Sequence, residues 1–140
     1  MFLSSFPLSY YPNAQRRARF RGEEKCQQAV CKHLRWRGVP GLVWFSIPNG
    51  GYRTPREAQV LKATGVRAGV SDLVLLHAGK SYALELKTPK GRATDAQIQF
   101  LDDWRAAGGE GMICHGLDEA LGTLEGWGLL QRDAVLNTTA

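Results

Sequence analysis

Apolar strands alternating with amphipathic helices predict an α/β protein, a mixed sheet flanked by helices in one layered domain. Three observations carry that expectation. Two apolar runs, Leu73 to Leu76 and Tyr82 to Leu86, are joined by the short turn His77-Ala78-Gly79-Lys80 and read as a hairpin. Two later segments open on capping boxes, Thr54-Pro55-Arg56-Glu57 and Thr94-Asp95-Ala96-Gln97, each followed by helical sequence. The chain has 140 residues, 44% hydrophobic and 22% charged, enough for one core and the balance of a soluble globular protein.

The N-terminal MFLSSFPLSYYP is apolar but broken by Pro7 and Pro12 and has no basic stretch ahead of it, so it reads as an arm and not a signal peptide. Residues 1–21 are expected to form a basic N-terminal arm, with Arg16, Arg17, Arg19 and Arg21 at its end. Cys26, Ala29, Val30 and Leu34 recur at helical intervals from Glu23 to Arg37, and Gly38 with Pro40 ends that first helix. At 100° per residue Glu23 falls about 20° from Val30 and Glu24 about 120° away, which puts Glu23 in line with the buried stripe and turns Glu24 to solvent. Leu42 to Ile47 is a continuous apolar run bounded by Gly41 and Pro48, the pattern of a buried strand. Pro48-Asn49-Gly50-Gly51 forces a turn whose glycines let backbone approach a phosphate, although a plain loop has the same composition.

A short helix follows from Pro55 to about Thr64, stopped by Gly65, and Gly69 gives the chain room just before Asp72. After the hairpin, Thr88-Pro89-Lys90-Gly91-Arg92 is a basic turn. The second boxed helix turns Ile98, Leu101 and Trp104 inward and closes at Gly108-Gly109. Gly111 to His115 is a short strand, Asp118 caps a last helix through Leu124, and residues 129–140 form a tail. The apolar residues Trp127, Leu129, Leu130, Val135 and Leu136 either cover a partner subunit or pack back on their own domain.

No apolar run is long enough to span a bilayer. Cys26, Cys31 and Cys114 are odd in number with no Cys-x2-Cys pair, which argues against a zinc site and a disulfide framework and fits reduced thiols in the cytoplasm. His33, His77 and His115 lack ligand spacing. The formal net charge is +5, with a pI near 9.4, which favours polyanionic partners. Besides the arginine block, Arg35, Arg37, Arg53, Arg56, Lys62 and Arg67 extend that basic character.

The chemistry concentrates between Gly69 and Lys87. Side chains alternate along a strand, so Ala83, Glu85 and Lys87 share one face while Tyr82, Leu84 and Leu86 share the other. Hairpin pairing brings Asp72 towards Glu85 and Lys87. Two carboxylates and an ammonium converging on a sheet suit a Mg2+ site for phosphodiester hydrolysis, with the lysine orienting water or meeting charge on phosphate. An ordinary ion pair on a solvated strand would also place Glu beside Lys. Glu23 either favours the positive end of its helix or serves as a third acid, and Gln97 is accounted for by its capping box alone.

Pro48-Asn49-Gly50-Gly51, Glu57-Ala58, Leu61-Lys62, Gly65-Val66-Arg67-Ala68-Gly69, Ser71-Asp72-Leu73, Glu85-Leu86-Lys87 and Gln97 resemble, in order and approximate spacing, the VRR-NUC family of the PD-(D/E)XK nuclease superfamily. The resemblance runs from about Glu23 to Gly128, with 22–128 as the nuclease domain, and implies a restriction-endonuclease-like core. It implies a Mg2+ or Mn2+ held by Asp72, Glu85 and the backbone carbonyl of Leu86, with Glu23 as the first-helix acid. It further implies that Lys87 is the catalytic lysine and that Gln97 joins Asp72 and Glu85 in the catalytic set. Ser71 stands where the superfamily pattern names proline, while Asp72 itself is kept.

The function expected is that of a metal-dependent DNA endonuclease leaving 5′-phosphate and 3′-hydroxyl ends. A compact stand-alone chain resembles the phage type, which implies branched DNA or four-way junctions as substrate. Asn49, Gly50, Arg53, Lys62, Arg67 and Lys90 are the expected DNA contacts. Paired cuts across a junction call for a homodimer, since one chain carries one such constellation. The competing classes are a nucleic-acid-binding module without chemistry and a scaffold, the latter leaving the clustered acids and lysine unexplained.

Overall fold

In a computed structural model, which describes residues 14–48 and 53–132 with side chains from residue 22 onward, the elements follow the expected order. They are α1 (Ala14–Arg37), β1 (Val43–Ser46), α2 (Pro55–Ala63), β2 (Leu73–His77), β3 (Lys80–Lys87), α3 (Asp95–Ala106), β4 (Glu110–His115) and α4 (Leu117–Gly126). The strands lie side by side in chain order, β1-β2-β3-β4. β2 and β3 pair antiparallel from Leu73↔Leu84 to His77↔Lys80. Their turn, Ala78-Gly79, holds both residues at positive φ, 49° and 80°, the twist that fits a two-residue hairpin. β1 joins β2 antiparallel, and β4 joins β3 parallel after the α3 crossover, so the sheet is mixed.

The period-2 pattern of β3 divides the core as its sequence predicts. Tyr82, Leu84 and Leu86 pack with Leu73, Leu75 and Cys114 against Val30 and Leu34 of α1 and Ala120 and Leu124 of α4. Each leucine fully buried there contributes roughly 2 kcal/mol. On the opposite face Ala83 meets Phe100 and Leu101 of α3, with Val70, Trp104 and Ile113 around them. Thus α1 and α4 cover one side of the sheet and α3 the other.

Several boundaries and faces differ from the sequence expectation. The first helix starts at Ala14, not near Glu23, and takes in the arginine block. Ala, Arg and Gln are strong helix formers, but their run carries no apolar stripe to reveal it. The run beginning at Leu42 forms an edge strand and not a buried one: Val43 and Phe45 are 55% and 46% exposed. α3 makes its contacts with β3 and β4, and among the described residues no helix has a comparable contact with β1.

In α3, Phe100 takes the inward place with Leu101, while Ile98 is exposed. Gly116, with φ 91°, stands at the N-cap of α4, so Asp118 lies in the first turn instead of capping it. Glu119 supplies the polar contact there, accepting the His115 N–H at 2.7 Å.

The segment after α4 belongs to the core. Leu129 and Leu130 are buried with the α1 and α4 residues, and the Trp127 ring packs on Tyr82 at 4.9 Å between centroids. Val39 donates its N–H to the Leu129 carbonyl, and Gln131 donates to that of Arg37. Arg37 is buried, bonded to Glu125 at 2.5 Å and to the Gln131 carbonyl at 2.9 Å, so it is no part of an exposed basic surface. Trp127, Leu129 and Leu130 therefore pack on their own domain, and Val135 and Leu136 lie outside the described residues.

Candidate active site

Asp72 is the residue just before β2, and two hydrogen bonds fix it. Its main-chain carbonyl accepts the Ile47 N–H at 2.9 Å, extending the β1–β2 pairing by one step. Its side-chain Oδ2 accepts the Leu86 N–H at 2.8 Å. The aspartate thus serves a β3 amide beyond the last ladder pair of β2 and β3, Leu73↔Leu84, and its carboxylate stays on the face of Glu85 and Lys87.

Glu85 and Lys87 are only 2% and 4% exposed, which separates them from an ion pair on a solvated strand. Lys87 Nζ lies 3.5 Å from Glu85 Oε1 and 3.9 Å from Glu23 Oε1. Of the two glutamates on α1, Glu23 is therefore the one set against Lys87, on the side its helical angle predicts. Gly22 allows the approach, since a Cβ there would stand 3.0 Å from the Thr88 methyl.

Gln97 reaches the same group. Its Nε2 donates to Glu85 Oε1 at 2.6 Å, while its Oε1 accepts the Thr94 N–H at 2.9 Å. The first turn of α3 is itself pressed against the loop before Asp72. At Gly69, φ 80°, an added Cβ would lie 2.3 Å from the Ala96 carbonyl carbon and 2.7 Å from the Gln97 nitrogen. The room that Gly69 leaves is thus filled by α3, a tertiary contact with no local sequence signal beyond the glycine.

Burial dominates the electrostatics. It lifts the Asp72 carboxyl to about 6, against the opposing Leu86 N–H bond, with the Glu23 charge adding to the rise. Glu85 is pushed up to about 8 by burial and then by Asp72, while Lys87 pulls the other way. Glu85 Oε2 is buried and has no hydrogen-bond partner. Two raised carboxyls and a buried carboxylate oxygen without a partner are hard oxygen donors, a set that fits a divalent cation. Among the described residues, no three His, Cys, Asp or Glu side chains form a ligand cluster, and the Lys87 ammonium contacts both Glu85 and Glu23.

The basic residues expected to contact DNA are in different states. Arg53 and Lys62 are exposed beside and on α2, a helix that buries none of its residues. Lys90 is exposed on the turn after β3, which Gly91 N–H to Thr88 carbonyl and His115 to Gly91 carbonyl hydrogen bonds hold in place. Arg67 is engaged internally, paired with Asp103 and lying over the Phe100 ring at 5.3 Å. Asn49 and Gly50 lie outside the described residues, as do the side chains of the arginine block.

Comparison with known proteins agrees with this geometry. A search of curated proteins finds no match. Among solved structures, a protein described as a VRR_NUC domain protein superposes with a TM-score of 0.62 at 20% identity, over 80% of this chain and 93% of its own, which establishes the shared fold. The VRR-NUC domain model matches residues 22–118, well over half of the sequence and every acid, lysine and glutamine of the buried cluster. The chain belongs to the VRR-NUC domain family, a family of nuclease-type domains.

Proposed function

We propose that this protein is a Mg2+- or Mn2+-dependent endonuclease that hydrolyses DNA phosphodiesters. The observation that carries the reading is the buried pair Glu85 and Lys87 beside the half-buried Asp72, with one Glu85 oxygen unpartnered. Asp72, Glu85 and the Leu86 carbonyl would hold the cation, with Glu23 completing the acidic surround. When bound, a divalent ion supplies Lewis acidity and lowers the pKa of its water. Lys87, fixed between Glu85 and Glu23, orients the attacking water or receives charge developing on phosphate. Arg53, Lys62 and Lys90 contact the DNA backbone from the exposed surface, and Arg67 would join them only by leaving Asp103.

Branched DNA, four-way junctions included, is the substrate in this reading. The working unit is a homodimer, because a chain with one such constellation cuts one strand at a time. The cytoplasm suits its free cysteines, and no helix among the described residues is long and apolar enough to cross a membrane.

A binding module without chemistry is favoured by one observation, the ammonium of Lys87 standing among the acids where a metal cluster would otherwise close. Incubating labelled junction, flap and linear DNA with purified protein, with and without Mg2+ or Mn2+, separates the two. Metal-dependent cleavage that disappears in Asp72→Ala, with DNA binding retained, is the expected outcome. Binding without cleavage on every substrate would favour the module, and an Asp72→Ala protein that cuts like its parent would sink the assignment.

A further inference from the structure

Two helices open on the same kind of capping box, and the paired capping side chains, Thr with Glu and Thr with Gln, differ by one heavy atom. At α2, Glu57 Oε2 accepts the Thr54 N–H at 3.0 Å and the Glu57 N–H donates to Thr54 Oγ1 at 3.2 Å. At α3, Gln97 Oε1 accepts the Thr94 N–H at 2.9 Å and the Gln97 N–H donates to Thr94 Oγ1 at 3.2 Å. Glutamate serves this box as well as glutamine does, so the cap does not explain why α3 carries an amide. The atom that the cap leaves over does. In α3 it is an NH2 group, and it donates to Glu85 Oε1 at 2.6 Å.

We propose that Gln97 is a positioning residue: the Thr94 amide fixes the orientation of its side chain, which holds Glu85 Oε1 and leaves Oε2 to face the cation. The orientation follows from chemistry. An NH2 group cannot accept from the Thr94 N–H, so turning the amide over would lose the cap and set an oxygen against the carboxylate. With Oε1 shared by Gln97 and Lys87, Oε2 is the buried oxygen without a partner. Loss of an outer partner of this kind typically costs about 10- to 100-fold in metal affinity or activity. The backbone contact between Gly69 and Ala96 ties this amide to the loop that carries Asp72, so both acids are set from one helix turn.

The inference rests on the metal-dependent hydrolase reading, and the test keeps the two apart. Gln97→Glu keeps the cap but replaces the donor by an oxygen set against the Glu85 carboxylate, Gln97→Met removes the side-chain cap and the donor without adding charge, and Glu57→Gln makes the reverse exchange at the control box. Gln97→Glu, with its cap kept, is expected to remain folded, to melt below the parent because two carboxyls then face each other, and to cut at least roughly tenfold more slowly at saturating DNA with little change in KM. Gln97→Met, titrated metal-free with Mn2+ by calorimetry, is expected to bind roughly tenfold more weakly. Glu57→Gln should match the parent in both.

Parental turnover by Gln97→Glu, or parental Mn2+ affinity in Gln97→Met, would overturn the positioning role and leave Gln97 as a cap alone. A parent that binds Mn2+ but cuts no DNA would defeat the hydrolase reading, while the Mn2+ comparison would still decide the inference. A parent that binds no Mn2+ would overturn both.

Discussion

On one face of β3, Tyr82, Leu84 and Leu86 meet α1 and α4 in an apolar core; on the other, Ala83, Glu85 and Lys87 meet α3 and the loop before β2. Burial is nearly complete on both. For the leucines that burial is stabilising, whereas for the two charges it is a desolvation cost that the ion pair and the Gln97 bond only partly offset, and the Asp72 charge adds to it at Glu85. A strand that carries charge at full burial needs a rigid apolar partner on its other side. The charged face is where the fold gives up stability to hold reactive groups.

The largest effects should come from changing the two faces separately. Leu84→Ala is expected to lower unfolding stability by about 2–5 kcal/mol in chemical denaturation, with no direct effect on the acids. Lys87→Met is expected to lower DNA cleavage by at least about 100-fold, the scale of losing a positioned electrostatic group. It should also leave the protein folded, with an unchanged denaturation slope. A Leu84→Ala protein of parental stability, or a Lys87→Met protein of parental rate, would remove the distinction between the faces.

Much of this contrast is legible in the sequence because it is local. Alternation along Tyr82 to Lys87 separates the faces, the turn at Ala78-Gly79 sets the hairpin register, and helical angle picks out Glu23. What could not be read depends on which elements meet. The apolar run in β1 looks buried until α3 is seen to cover only β3 and β4. Arg37 reads as surface charge until Glu125, eighty-eight positions on, receives it. Leu129 and Leu130 have no pattern of their own and become core only because α4 returns the chain to α1. Gln97 was visible as a cap, and its second bond was not, since Glu85 lies twelve residues away on another element.

Protonation sharpens the comparison, because only one face titrates. Asp72 and Glu85 stand at about 6 and about 8 in the folded protein, above the 3.8 and 4.5 usual for these groups. Between pH 4 and 8 the native state therefore holds more protons than the unfolded chain, and stability falls as pH rises. Metal-free protein should keep the full contribution of these two carboxyls at about pH 4 and lose on the order of a few kcal/mol by pH 9, as the pair ionises inside the fold. Saturating Mg2+ should flatten that slope, since it binds the ionised pair. Thermal melts across pH in EDTA and in Mg2+ measure this directly. A metal-free protein that gains stability from pH 5 to 9 would mean that the carboxyls are solvated and that the charged face is open.

The smallest expected effect lies at the seam that joins α3 to the charged face. Gly69 has φ 80°, and a Cβ there would meet the Ala96 carbonyl carbon at 2.3 Å and its oxygen at 2.4 Å. These are backbone atoms of a capped first turn, so they cannot swing aside as a side chain would, and relief requires α3 or the loop to move. Gly69→Ala should cost on the order of 2 kcal/mol, the left-handed strain of a non-glycine residue together with that displacement. Because Asp72 follows three residues later and Gln97 sits in the displaced turn, cleavage should fall more than stability alone explains. A matched control is Gly65→Ala, where φ is 98° but no atom lies within 4 Å of the added carbon. It should lose stability through strain and keep its rate. If the two variants lose rate equally, the contact of Gly69 with α3 has no part in setting the acids.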